Sequence, residues 1–168
     1  MTGLNPSPAS FSGEESPGTT VTLDQGAYNV DEGVVAGYTK TLGAGCSGYV
    51  NPGDSKTCTI TNDDVQPKLI VIKHVINNNG RTNVAGDWTM SVTGSSPNPA
   101  NFPGSESGKT VMLNAGAYSV AESGPAGYVA SYSADCNGSI GIGQTKTCTV
   151  TNDDLPQDPV IILKRPRV

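Results

Sequence analysis

The sequence predicts an all-β protein made of two tandem modules, and three observations support this prediction. The 168 residues include 21 glycines and 12 prolines but only 15% charged residues, a composition that disfavours long helices and coiled coils. Short apolar segments separated by turn residues are typical of strands. The chain also repeats itself, because residues 21–64 align with residues 111–154 and about half of the aligned positions are identical.

Each copy of the repeat carries the same two stretches in the same order. The first copy reads LDQGAYNVDEGVVAGY and then KTCTITNDD, and the second reads LNAGAYSVAESGPAGY and then KTCTVTNDD. Upstream, TGLNPSPASF matches TGSSPNPANF, although the first copy has one extra residue near Pro17. The repeat predicts a module at residues 1–66, a complete module at residues 67–154, and a linker with a final strand at residues 155–168.

The two copies differ at their beginnings. The second starts with KLIVIKHVINNNGRTNVAGDWTMSV, which predicts a strand, an NNNG turn and another strand, whereas the first copy starts at Met1 without these strands. At the other end, PVIILKRPRV aligns with KLIVIKHVIN and places Lys164 opposite Lys73. We therefore expect an incomplete first module and a spare first strand, whose central residues are Val160, Ile161, Ile162, Leu163 and Lys164.

A module without its first strand has an unpaired sheet edge and an open apolar core, which favours pairing with another chain. The prediction is that the C-terminal strand of one molecule completes the N-terminal module of the next, which gives a head-to-tail homopolymer. The predicted partner is then a second copy of the chain. The alternative is a stalk segment of an adhesin, in which the missing strands lie upstream in the same polypeptide.

Period-two alternation places a polar residue on the apolar face of several strands. In the second copy these residues are Lys73 beside Leu69 and Val71, Glu122 beside Tyr118 and Val120, and Asn152 beside Cys148 and Val150. In the first copy, Glu32 and Asn62 occupy the positions of Glu122 and Asn152. A carboxylate and an amine are thus aimed at sides of the modules where apolar residues are expected.

The four cysteines form two pairs with equal spacing, Cys46 with Cys58 and Cys136 with Cys148. One disulfide per module is the prediction, because the chain has no CxxC motif and a single histidine, His74, with which to build a metal site. We expect neither a metal nor another cofactor. Disulfides indicate an oxidising, extracellular or cell-surface location.

The string GAYSVAESGPAGY followed by KTCTVTNDD, with an early strand that carries Lys73, resembles the collagen-adhesin B-type (Cna-B or SpaA-like) repeats of bacterial surface proteins and pilins. The resemblance implies two tandem Ig-like, prealbumin-like β-sandwich modules used as a stalk or fibre segment, the first lacking its initial strand or strands. It also implies an isopeptide bond between Lys73 and Asn152 beside the acid Glu122. The corresponding intermolecular set is Lys164 of one molecule with Asn62 and Glu32 of the next.

Other functions are disfavoured by composition. A net charge of -5 provides no basic patch for nucleic acid, and the longest apolar runs, four residues each, are far shorter than the ~20 that span a bilayer. A single histidine makes an enzyme improbable. A carbohydrate-binding module is a further alternative, although Trp88 is the single tryptophan available for an aromatic platform. Glycans are candidate partners, since Asn137 begins an N-glycosylation sequon, a short pattern frequent by chance.

Adjacent aspartates end both copies of the repeat. These pairs, at residues 63–64 and 153–154, could bind Ca²⁺ weakly, but two neighbouring carboxylates at the end of a strand are typical of a solvated turn. We therefore predict exposed side chains at all four positions.

Overall fold

The structure is a computed structural model that describes residues 1–157. In this range the regular elements are β-strands apart from three short 3-10 turns, so the predicted all-β fold class is confirmed. The chain divides into two compact units, Met1–Val65 and a second that begins at Gln66. The predicted donor strand, residues 160–164, lies outside the described residues. No helix within residues 1–157 is both long and apolar enough to cross a bilayer.

The first unit consists of two short antiparallel pairs of strands. β1 pairs with β3, and β2 pairs with β4. Isolated bridges from Thr2 to Asn29 and from Ser7 to Thr22 attach the N-terminal segment. The strands are β1 (Gly26–Asn29), β2 (Tyr38–Leu42), β3 (Ser47–Val50) and β4 (Ile60–Asp64).

The second unit has two four-stranded sheets, in place of the two two-stranded sheets of the first unit. Sheet A has the order β10-β12-β5-β8, and sheet B has the order β11-β9-β6-β7. Their strands are β5 (Lys68–Ile76), β6 (Thr89–Thr93), β7 (Asn101–Pro103), β8 (Lys109–Met112), β9 (Gly116–Ser123), β10 (Tyr128–Tyr132), β11 (Asn137–Ile140) and β12 (Thr145–Asp154).

Strand β5 organises sheet A, because it pairs parallel to β12 and antiparallel to β8. Its sequence KLIVIKHVI is rich in the β-branched residues that favour strands, and its core-facing positions are Leu69, Val71 and Lys73. The apolar faces of both sheets meet in one core, which includes Met90 and Tyr118 from sheet B. This packing is a β-sandwich.

The cysteine pairs are joined as the sequence predicts. Cys46 bonds to Cys58 in the first unit, and Cys136 bonds to Cys148 in the second. Each bond ties a short 3-10 turn to the segment that leads into or forms the last strand of its unit. Closing a loop of this size contributes about 3 kcal/mol in the chain-entropy model, which matters most in the first unit because few of its apolar side chains are buried.

Candidate lysine, glutamate and asparagine site

Lys73 lies inside the second unit with its side chain 0% exposed. Its strand alternates between buried and less buried positions, and Lys73 follows Leu69 and Val71 on the buried side. Burying a lysine is unfavourable unless its ammonium group is paired. The structure places the nearest carboxylate directly across the core.

Glu122 reaches Lys73 from the opposite sheet. It lies on β9 opposite Met90 of β6, with its side chain only 7% exposed, and its Oε2 atom is 3.1 Å from Nζ of Lys73. This distance makes the contact a salt bridge, although Oε2 meets no donor in hydrogen-bond geometry within residues 1–157. The Lys73 ammonium also donates a long hydrogen bond of 3.4 Å to the carbonyl oxygen of His74.

Asn152 lies on β12, the strand next to β5. The parallel register sets Val150 opposite Lys73 and Asn152 opposite Val75, so the asparagine is one diagonal step from the lysine on the same face. Asn152 is 3% exposed, and its Oδ1 atom is buried without a hydrogen-bond partner in the described chain. The structure thus gathers the three predicted site residues of the second unit on the facing sides of the two sheets.

Trp88 covers this site, a role that the sequence analysis did not identify. Nζ of Lys73 lies 4.7 Å from the centroid of the indole ring, close enough for a cation–π contact. The indole is itself buried and meets the ring of Tyr128 edge to face, with centroids 5.0 Å apart. The sequence offers one indication of this role, because Trp88 directly precedes β6, in which Met90 and Val92 face the core. The sugar-platform hypothesis, by contrast, requires an exposed Trp88.

The electrostatics favour a reactive amine. Burial lowers the pKa of Lys73, and the neighbouring Glu122 carboxylate offsets only part of this effect. A lowered pKa raises the fraction of neutral amine, which is the nucleophilic form. Chemically, the site can hold an amine beside a carboxamide and a proton-transferring acid, in a pocket closed by an aromatic ring.

Residues 64–154 match the family model of the SpaA-type prealbumin-like fold domain. This stretch is more than half of the chain. The chain belongs to the prealbumin-like fold domain family. The match confirms the resemblance carried by GAYSVAESGPAGY and KTCTVTNDD, and the family is one of structural domains. No curated protein matches the chain.

Outside the prealbumin-like domain, the first unit carries Glu32 and Asn62, the residues aligned with Glu122 and Asn152. Asn62 donates from Nδ2 to Oε1 of Glu32 at 2.5 Å, so the two aligned residues are in contact. Asn62 is exposed and Glu32 is only partly buried. Lys40, a residue that the sequence did not single out, pairs with Asp31 and donates a hydrogen bond to the carbonyl oxygen of Glu32.

A cavity of about 110 Å³ lies beside Glu32 in the first unit. Its lining includes Phe11, Gly13, Val30, Glu32 and Ile60. By the repeat alignment these residues correspond to Phe102, Gly104, Val120, Glu122 and Val150 of the second unit. Of the latter, Gly104 lies against the Lys73 side chain, Glu122 pairs with its ammonium and Val150 is its strand partner. Three of the residues that line the cavity, Gly13, Glu32 and Ile60, thus align with residues that lie around Lys73 in the second unit.

The remaining predicted positions lie away from this site. Asn137 is exposed at the start of β11, where its side chain is accessible. His74 contacts Glu106 through Nδ1 at 2.8 Å on the outer side of β5. The prediction of solvated aspartates is wrong for Asp154, which is 3% exposed and accepts backbone hydrogen bonds from the turn at residues 78–81.

Proposed function

We propose that the chain is a structural subunit of an extracellular filament. Its subunits join head to tail, as the C-terminal strand of one copy adds to the first unit of the next. The observation that carries the proposal is the cavity beside Glu32, because its lining includes counterparts of three residues that lie around Lys73 in the second unit, Gly104, Glu122 and Val150. The family match supports a structural role at a cell surface, and the two disulfides support an extracellular location.

The first unit also offers a free strand edge for the donor. Within residues 1–157, β4 pairs with β2 alone, whereas its counterpart β12 pairs with both β10 and β5. An unpaired edge next to apolar side chains is the usual acceptor in β-strand addition, in which main-chain hydrogen bonds give affinity and side-chain pockets give specificity. The donor takes the place of β5 and runs parallel to β4.

The tail sequence fits this position. Aligned on Lys73, the segment puts Val160, Ile162 and Lys164 on the face that points into the acceptor. The two aliphatic residues correspond to Leu69 and Val71, each of which contributes ~1.5 to 3 kcal/mol when fully buried, before the cost of ordering the strand. Lys164 then enters the cavity toward Glu32.

We further propose that these sites mature covalently. The amine nitrogen of Lys73 attacks the carboxamide carbon of Asn152, Glu122 transfers the proton, and the side-chain nitrogen of the asparagine leaves as ammonia. The product is an isopeptide bond, and the chain is consumed as its own substrate without turnover. The same step joins Lys164 of one copy to Asn62 of the next, with Glu32 as the acid. Support comes from the Oδ1 atom of Asn152, which is buried without a hydrogen-bond partner in the described chain, and from the ion pair that holds the buried amine of Lys73 beside Glu122.

Deletion of residues 159–168 tests filament assembly. We expect the full chain to form fibres in negative-stain electron microscopy and the shortened chain to remain monomeric. A matched pair of variants, Ile162→Thr and Ile161→Thr, controls for composition, since only Ile162 faces the acceptor in the proposed register. Fibres formed by the shortened chain would exclude strand donation by the tail.

Intact-mass measurement of the reduced, unglycosylated chain tests covalent maturation. We expect a mass lower than calculated by one ammonia, a difference that Glu122→Ala abolishes. In fibres boiled in detergent with a reducing agent, ladders of covalent multimers should appear and should vanish in Lys164→Arg. A chain with the full calculated mass would show that Lys73 and Asn152 are not joined.

The second candidate is a stalk segment of a surface adhesin, favoured by the same family match. In that case the first unit is completed by strands of its own polypeptide. The tail deletion separates the two functions, because it affects association between chains only under the filament proposal.

A further inference from the structure

The first unit differs from the second at one position that controls what can cover it. In the second unit the indole of Trp88 lies directly on Gly124. A Cβ atom at Gly124 would lie 2.5 Å from Cδ1, 2.7 Å from Cγ and 3.0 Å from Cα of Trp88. These distances are too short for real contacts, and Cα belongs to the backbone, so a side chain at this position would displace the tryptophan.

The repeat places Val34 where the second unit has Gly124. GVVAGY in the first copy aligns with SGPAGY in the second, and the valine side chain is 90% exposed. The first unit therefore carries a branched side chain at the position where the second unit has none. By this alignment, a tryptophan placed as Trp88 is in the second unit would meet the valine side chain.

Lys73 and Trp88 belong to one continuous stretch of the second unit, which runs from β5 of sheet A through a connecting segment to β6 of sheet B. Any donor that copies residues 68–93 would bring the tryptophan along with the lysine. The tail offers the lysine alone: Lys164 is aligned with Lys73, and the chain contains one tryptophan in all, Trp88. The two candidate donors, residues 68–93 and the tail, thus differ in whether they bring a tryptophan next to Val34.

We infer that Val34 is a specificity residue that restricts the first unit to a single donated strand, residues 159–168 of a second copy, and excludes the stretch of residues 68–93. This inference rests on the proposed filament assembly. Val34 would then disfavour domain swapping, in which the stretch from β5 to β6 of one copy inserts into the first unit of another. Such swapping would compete with head-to-tail growth. The same residue would also disfavour strands upstream in the same polypeptide, if those strands carry a tryptophan as the second module does.

Exchanging the tail tests the inference. The full chain is compared with a chain whose residues 159–168 are replaced by a copy of residues 68–93, each with Val34 or with Val34→Gly. Filament growth is followed by light scattering. We expect the natural tail to assemble equally well with both residues, and the replaced tail to assemble at least about tenfold faster with Val34→Gly. Changing the tryptophan of the replaced tail to alanine should restore assembly with Val34 present.

Equal assembly of the replaced tail with both residues would overturn the inference, and so would its failure with Val34→Gly and with the alanine tail. If instead the natural chain forms no filaments, the proposed function fails first. A measurement that needs no assembly covers that case, because Trp88 is the only tryptophan and reports its own burial. We expect Gly124→Val to shift its fluorescence to longer wavelength, with Gly124→Ala intermediate; an unchanged spectrum would mean that valine accommodates the indole.

Discussion

The two units contain the same repeated strands but differ in how much of the repeat is buried. Asn152 is 3% exposed in the second unit, whereas its counterpart Asn62 is exposed in the first. The strands that carry these residues are nearly identical, KTCTVTNDD and KTCTITNDD. The difference comes from β5 and β6, which cover the second core and have no counterpart in the described first unit. Whether this asparagine is buried thus depends on the strands that cover it, because the strand that carries it is nearly the same in both copies.

Among the variants, Lys73→Met should have the largest effect on stability, because it removes from the second unit the buried ammonium group that pairs with Glu122. Removing one partner of a buried ion pair leaves the other charge buried without compensation. We expect a loss of about 3 to 5 kcal/mol in the free energy of unfolding, relative to a chain of full calculated mass in which Lys73 and Asn152 are not joined. Urea denaturation followed by Trp88 fluorescence measures this change in the second unit alone, since the chain has no other tryptophan.

The matched control is the double variant Lys73→Met with Glu122→Leu. Apolar pairs that replace a buried ion pair are often neutral or stabilising, so the double variant should regain most of the lost stability. If Lys73→Met alone unfolded at the same urea concentration as the natural chain, the contact between Lys73 and Glu122 would contribute nothing to the domain.

Alanine substitutions at two aligned glycines, Gly104 and Gly13, should affect stability less than Lys73→Met and should differ between the two units. A Cβ atom at Gly104 would lie 2.4 Å from the carbonyl oxygen of Ala85 and 2.8 Å from Cγ of Lys73, while one at Gly13 would meet nothing within 4 Å. Gly104→Ala should therefore cost about 1 to 3 kcal/mol of stability. Gly13→Ala should change the stability of the unassembled chain by less than about 0.5 kcal/mol.

Gly13→Ala should matter for filament growth, although it has little effect on the stability of the unassembled chain. Gly13 leaves the space that we assign to Lys164, so Gly13→Ala should slow assembly even though it does not affect folding. Gly33→Ala is the control, because a Cβ atom there also meets nothing within 4 Å and no donor residue is assigned to it. Filaments that grow at the natural rate with Gly13→Ala would place the donated lysine elsewhere.

The sequence predicted which polar side chains of the second unit face the core, because their strands alternate regularly. Period-two patterns put Lys73, Glu122 and Asn152 on apolar faces, and the structure finds all three buried or nearly so. Sequence spacing also predicted the pairs Cys46 with Cys58 and Cys136 with Cys148, because duplication fixes which cysteines share a module. Local pattern and internal repetition were sufficient for these features.

Contacts between distant segments could not be predicted in this way. Trp88 covers Lys73 only because sheets A and B bring β5 and the residue before β6 together, and no local pattern reports that distance. Asp154 was predicted to be solvated because adjacent carboxylates usually are. The turn that buries it lies more than seventy residues earlier in the chain.

Acidification should reveal the smallest difference between the two units. Burial acts to raise the pKa of Asp154, but hydrogen bonds from the backbone N–H groups of Arg81, Asn79 and Asn78 outweigh it and hold that pKa below the usual 3.8. A carboxyl with a lowered folded pKa stabilises the fold above its unfolded value. That contribution is lost as the pH falls below 3.8 toward the folded pKa.

Asp154→Asn should therefore lower the melting temperature of the second unit near neutral pH and flatten its dependence on pH in the acid range. Asp64→Asn is the control, because Asp64 is the aligned residue in the first unit and is exposed. Melting curves of the second unit, followed by Trp88 fluorescence between neutral and acid pH, make the comparison. If Asp154→Asn kept the acid dependence of the natural chain, the acid sensitivity of the second unit would have to come from carboxylates other than the one that closes the turn at residues 78–81.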